Sequence, residues 1–267
     1  YTGKQLEPVL QTAIQSANKE LQTSMAGVDG SVNLELVSLD RGLFSSTAHY
    51  RLKGQGSVFG EDNPNPELLF VDHIEHGPLP FSRLVSLKWL PVMATSHYAL
   101  EKNATTEKWF AASKDVSPLK GVANIGYNRS VSGNVELLPL ELKDDKSSVS
   151  FSGANLDFDG TAEGQKVKAE GYMNSLKVAV IDANGAPFEA ELSGLTVASN
   201  LKKTSFGFYT GQNTVELTDT KVTFGPQKAV LTLKGFEQKD TSETKDNNLA
   251  GRVDYKIDEI GYQGKPV

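Results

Sequence analysis

Two histidines, an aspartate and a glutamate fall within the five residues Asp72-His73-Ile74-Glu75-His76, the densest group of possible metal ligands and general bases in the chain. A zinc-type site needs three or four ligands converging on one point. The residues around the group alternate as a strand does, which sends His73 and Glu75 to one face and Asp72, Ile74 and His76 to the other. At most two ligands therefore converge locally. The spacing favours a polar strand end whose side chains hydrogen-bond the Gly77-Pro78 turn. Metal-assisted hydrolysis by His73, Glu75 and His76 is the reading it opposes. His49 and His97 are isolated in other strand-like segments.

Other fragments of catalytic patterns fail on context. Ser16-Ala17-Asn18-Lys19, Ser132-Gly133-Asn134 and Lys203-Thr204-Ser205 follow the order of the penicillin-binding triplets. That chemistry needs its serine at the start of a buried helix, whereas Ser16 falls late in an amphipathic surface helix. Gly54, Gly56 and Gly60 are spaced one residue too widely for a dinucleotide loop, and a proline-rich stretch follows instead of a helix. The sequence thus implies no cofactor and no enzyme. A net charge of −6, from 27 basic and 33 acidic residues without long like-charge runs, argues against a nucleic-acid partner. The absence of cysteine removes disulfides, thiolate metal sites and thiol nucleophiles together. No run reaches the ~18 apolar residues of a membrane span.

The elements that would position any site read as mainly β, of the α+β class. Leu6, Leu10, Ile14, Ala17 and Leu21 form one stripe at helical spacing, which predicts an N-terminal amphipathic helix ended by Gly27 and Gly30. Period two then takes over, with Val32, Leu34 and Leu36 on one strand face and Ala48, Tyr50 and Leu52 on another. Short helices are expected near residues 80–112. Beyond residue 120 alternating segments repeat, each broken by a small or polar residue near Gly153, Asn174, Gly194, Asp219, Gly235 and Glu259. Such breaks mark bulges or bends. They predict a long curved antiparallel β-meander, with residues 1–120 as its helix-bearing start and 121–267 as the repetitive part of one continuous domain.

Phe151, Leu156, Phe158, Val178, Val180, Leu231 and Leu233 are the inward-alternating positions of these repeats. They could line a groove for a lipid or another extended hydrophobic ligand, or fill an ordinary core. A second expectation is an interaction module whose open strand edge accepts an envelope protein. The edge around residues 252–262 would pair with another copy as an edge-to-edge dimer, or else lack order.

Three short stretches carry a family resemblance. They are Arg41-Gly42-Leu43-Phe44-Ser45-Ser46, Glu75-His76-Gly77-Pro78-Leu79-Pro80 and Leu90-Pro91-Val92-Met93-Ala94. In combination, and along nearly all 267 residues, the chain resembles the YdgA/YihF-like proteins of Gram-negative bacteria. The resemblance implies signature turns built on Arg41, Gly42, Phe44, Ser45, His76, Gly77, Pro78 and Pro80. It also implies an N-terminal part of a longer protein, held at the periplasmic face of the inner membrane by a preceding anchor. It names no reaction.

Overall fold

The computed structural model describes residues 2–60, 63–86, 88, 90–181, 185–246 and 248–266, with side chains from residue 6 onward. It divides into two compact units, residues 1–129 and 130–267.

The first unit opens with α1 (Thr2–Ser24). Leu6, Leu10, Ile14, Ala17 and Leu21 are half-buried, as the helical period predicts, together with Glu7 and Asn18. Pro8 lies in the second turn and withholds one N–H from the helix ladder. Leu6 and Leu10 on either side of it pack against the core, so burial holds the turn that proline weakens. Five strands follow: β1 (Ser31–Arg41), β2 (Ser45–Gln55), β3 (Glu67–His76), β4 (Ala94–Glu101) and β5 (Leu119–Ile125). Each pairs antiparallel with the next. The short helices α2 (Phe81–Val85) and α3 (Glu107–Ala112) flank β4 in sequence, within the span where the sequence predicts them.

Ala48, Ile74 and Ala94, one from each of β2, β3 and β4, form the centre of this unit's core. Leu36, Leu39 and Tyr50 join them under the helix. The helix also closes the sheet edge. The Asn18 side chain accepts from the Leu34 N–H at 2.7 Å and donates to the Leu34 carbonyl at 2.9 Å. An amide on a helix thus satisfies both backbone groups of an edge-strand residue, as a neighbouring strand would.

The second unit is a β-meander. Its strands are β6 (Ser130–Leu137), β7 (Leu140–Lys143), β8 (Ser147–Phe151), β9 (Ala154–Thr161), β10 (Lys166–Ile181), β11 (Pro187–Lys203), β12 (Tyr209–Phe224), β13 (Ala229–Lys245), β14 (Asn248–Lys256), β15 (Glu259–Tyr262) and β16 (Lys265–Pro266). Several short strands are halves of longer ones. Along β10, Leu176 pairs with Phe151 and Met173 with Ala154, so β8 and β9 keep one register through Ser152-Gly153. In the same way β6 and β7 are interrupted at Leu138-Pro139, and β14 and β15 at Ile257-Asp258.

These interruptions line up. In register, Asn174 stands opposite Gly194, Gly194 opposite Thr218, and Thr218 opposite Gly235. A single transverse crease therefore crosses every long strand of the unit. The sequence places the breaks at Gly153, Asn174, Gly194 and Gly235 as found, and those near Asp219 and Glu259 one or two residues late. Gly153, Gly194 and Gly235 have positive φ, while the residues opposite them do not. Left-handed backbone on alternate strands is thus the local cause of the bend, and it asks for glycine there. A Cβ on Gly194 would collide with the Thr218 side chain, and one on Gly235 with that of Asp258.

Candidate functional site

The polar residues of β3 divide as the strand period requires. On the inner face Asp72 and His76 are buried beneath the helix side of the sheet with Ile74. Ser96 Oγ donates to Asp72 at 2.7 Å and the Tyr50 hydroxyl at 3.5 Å. Burial holds the Asp72 carboxyl above the usual carboxylate range, against the pull of these two donors. Burial, with the Asp72 charge beside it, also raises the Tyr50 phenol and pushes Tyr98 up to about 12. His76 Nε2 lies 2.8 Å from Ser46 Oγ, and burial lowers its pKa. This set locks β2, β3 and β4 together.

On the outer face His73 pairs in register with His97, and its Nδ1 lies 3.2 Å from Thr47 Oγ1. Glu75 takes hydrogen bonds from the Ser82 N–H at 3.3 Å and from the Ser82 hydroxyl, tying the end of β3 to α2. His97 Nε2 is 3.3 Å from the same hydroxyl oxygen. Serine, histidine and carboxylate are all present, but in the wrong order. A triad needs the acid behind the histidine. Here Glu75 competes with His97 for the serine proton. His73, Glu75 and His76 are split across two faces, and among the described residues no three potential ligands converge on a metal position. The sequence had no means of finding Ser82, because its link to Glu75 and His97 is made across three elements.

The second unit offers a different kind of site. On either side of the crease run ladders of apolar cross-strand neighbours. One reads Leu137, Ala154, Met173, Leu195, Leu217, Phe236. The other reads Leu140, Phe151, Leu176, Leu192, Thr220, Leu233, Ile260. The next row out is Leu142, Val149, Val178, Ala190, Val222, Leu231, Tyr262, followed by Val180, Phe188 and Phe224. Behind the first ladder stand Val135, Leu156, Val197 and Val215, then Phe158 and Ala169. All seven lining positions predicted from the sequence fall in these rows.

The two ladders are three residues apart on every strand, a spacing that would put them on opposite faces of a straight sheet. Burial shows how the crease compensates. In β10 the less exposed positions are Val167, Ala169, Gly171 and Met173, then Leu176, Val178 and Ala179. Asn174 and Ser175, side by side at the crease, are both exposed. In β12 Thr218 and Asp219 are likewise exposed between Leu217 and Thr220. The alternation skips one step, and the apolar rows stay together. Beside the crease Leu137, Leu156, Met173, Leu195 and Val197 bound an apolar depression of about 210 Å³.

The intervening positions carry charge. Lys177 bridges Glu189 at 2.7 Å and Glu191 at 3.0 Å, Lys168 meets Glu170 at 3.0 Å, and Lys234 meets Glu259 at 3.0 Å. Among its described residues the unit contains strands and turns and no helix. Val180, Phe188, Phe224, Leu231, Ile260 and Tyr262 remain 39–48 % exposed. At the end of the meander β15 is flanked by β13 and β16, whereas β14 has β13 as its one strand neighbour among the described residues.

A family model described as bacterial protein of unknown function, DUF945, matches residues 1–267. Protein YdgA of Escherichia coli K12 is 22% identical over 271 residues, covering 99% of this chain and 53% of that protein. The uncharacterized protein YihF of the same organism is 26% identical over 172 residues, 61% of this chain and 36% of its own length. An uncharacterized protein of Haemophilus influenzae is 28% identical over 137 residues, 51% of this chain and 35% of its own. The chain thus spans about half the length of the first of these relatives and about a third of the others. No solved structure matches. Among the described residues no helix is long and apolar enough to cross a membrane.

Proposed function

This chain belongs to the DUF945 family of bacterial proteins of unknown function, and from that premise we propose that it is a non-enzymatic cell-envelope protein whose creased sheet holds a lipid acyl chain or another extended apolar ligand. One observation carries this reading. Four or more apolar rows run side by side on the two sides of the crease, and Val180, Phe188, Phe224, Leu231, Ile260 and Tyr262 among them remain substantially exposed. Exposed apolar surface of this extent marks an interaction site on a soluble domain. The rows run across the strands, so an extended chain lying along the crease would meet a similar apolar environment at each strand. The charged face opposite, cross-linked by lysine–glutamate pairs, suits water. The scattered polar cluster of the first unit, with its acid on the serine, supports no catalytic role.

Binding of a fluorescent long-chain fatty acid to the purified protein tests this reading. Saturable fluorescence enhancement is expected, with loss in Val178→Asp and Leu231→Asp variants that retain the β circular-dichroism spectrum. Non-saturable binding, or equal binding by the variants, would remove the proposal.

A second reading, an interaction module, rests on β14, which has one strand neighbour among the described residues and carries the exposed Leu249, Val253 and Tyr255 on one face. A partner's strand or a second copy would dock there. Native protein extracted from membranes separates the two: co-purified lipid favours the first, a stoichiometric envelope protein the second. The location implied by the family resemblance, the periplasmic face of the inner membrane, is tested by fusing a reporter that is active only in the periplasm.

A further inference from the structure

The five most exposed large apolar side chains of the described structure lie at one end of the first unit. Leu43 and Phe44 occupy the β1–β2 turn, and Phe81, Val85 and Leu90 the segment between β3 and β4; all are more than two-thirds exposed, Leu43 at 90 %. Leu43, Phe44 and Leu90 belong to stretches that the sequence singles out, Phe81 and Val85 lie between two of those stretches, and the proposed function leaves all of them unused. They are fastened to one another. The His76 N–H donates to the Phe44 carbonyl at 2.7 Å, and the Gly42 N–H to the Ser45 carbonyl at 2.8 Å. Arg83 Nη2 donates to the Leu90 carbonyl at 3.0 Å and the Val92 N–H to the Pro78 carbonyl at 3.0 Å. The exposure therefore belongs to a braced tip, with Phe44, Leu79, Phe81 and Leu84 around a cleft of about 400 Å³.

We propose that this tip docks on a phospholipid bilayer, with Leu43, Phe44, Phe81, Val85 and Leu90 entering the interfacial layer. Five such side chains present on the order of several hundred Å², comparable to the ~300–600 Å² patch that marks an interaction site. A stable protein complex buries ~800 Å² on each partner, whereas insertion into a bilayer has no such minimum. Charge points the same way. Arg41 pairs with Glu7 at 3.6 Å, Arg83 reaches the Asn124 side chain at 3.0 Å, and Glu75 is held by Ser82. Apart from Arg83 Nε, which is buried without a hydrogen-bond partner among the described residues, these groups are engaged within the unit, and Lys88 is the exposed cation between Val85 and Leu90. Beside five exposed apolar side chains, the attraction comes from apolar burial more than from adsorption to anionic headgroups.

Flotation of the purified protein with vesicles tests the proposal, using phosphatidylcholine vesicles and vesicles containing phosphatidylglycerol, each at low and high salt. Binding to both kinds is expected, with little loss at high salt. Leu43→Ser and Phe44→Ser together should lower partitioning by roughly tenfold or more. The tip is exposed, so these variants should keep the native melting temperature. Val116→Ser, at an exposed apolar residue at the opposite end of the first unit, should leave vesicle binding unchanged. Failure of the unaltered protein to float, equal flotation of the tip variant, or binding that vanishes at high salt would each overturn the proposal. So would a tip variant that loses self-association while its vesicle binding is untouched, since a second copy would then cover the tip.

Discussion

Met173 and Leu176, three residues apart in β10, both lie on the shielded side of their strand, with Asn174 and Ser175 exposed between them. Period two alone would put them on opposite faces. The same spacing separates Leu137 from Leu140, Leu192 from Leu195, and Leu233 from Phe236 across the crease. The crease is therefore a device that keeps one apolar face continuous through a bend, and it rests on a few glycines.

Gly194→Ala tests that dependence. Its φ of +66° costs a residue with a Cβ about 1–2 kcal/mol, and collision with the Thr218 side chain adds to this. Urea titration should show a destabilised unit. Adding Thr218→Ala removes Oγ1, the closer of the two colliding atoms, and should recover part of the collision cost, leaving the contact with Cβ and the backbone part. Equal stability of the single and double variants would show that Thr218 is not the obstacle.

Thr220 interrupts an otherwise apolar ladder, and its Oγ1 is buried without a hydrogen-bond partner. Thr220→Val keeps the shape and removes the orphan hydroxyl, so it should stabilise the protein by about 1 kcal/mol. A loss of stability in the same titration would mean that the hydroxyl has a partner in solution.

Asn18→Ala removes both hydrogen bonds to Leu34 and bares the edge of β1. The expected cost is about 1–3 kcal/mol. Hydrogen exchange at the Leu34 amide should accelerate well beyond that at amides in β3. Unchanged exchange at Leu34 would contradict the role given to Asn18.

Asp72 gives a pH signature. Burial raises its folded pKa, so the folded protein holds this proton more tightly than the unfolded chain. Its contribution to stability is then greatest below the unfolded value of about 3.9 and is lost as pH rises through the folded value. Asp72→Asn should flatten that part of the stability curve and should exceed the native protein's stability at neutral pH. If the Asp72→Asn protein followed the same curve as the native one, the carboxyl would not be desolvated as its surroundings imply.

Much of this architecture is legible in the sequence, because strand period and glycine placement are local signals. The split of His73 and Glu75 from His76 follows from alternation alone. Breaks at Gly153, Gly194 and Gly235 are visible because the left-handed backbone selects glycine. The crease positions at Thr218 and Ile257-Asp258 carry no glycine and are set by the opposite strand, so composition misplaces them slightly. What cannot be read locally is whatever joins distant segments. The Asn18–Leu34 cap, the Ser82–Glu75–His97 cluster and the gathering of Leu43, Phe44 and Phe81 at one tip depend on pairings made only in the fold.

The central claim, a single apolar face continuous across the crease, is tested most directly by photo-crosslinking. A fatty acid carrying a diazirine along its chain would be bound to the purified protein, irradiated, and its attachment sites mapped by mass spectrometry. Adducts are expected on both sides of the crease, on residues such as Met173 and Leu195 on one side and Leu176 and Leu231 on the other. Adducts on the charged positions around Lys168 and Lys177, or none that a non-photoreactive fatty acid can displace, would contradict it.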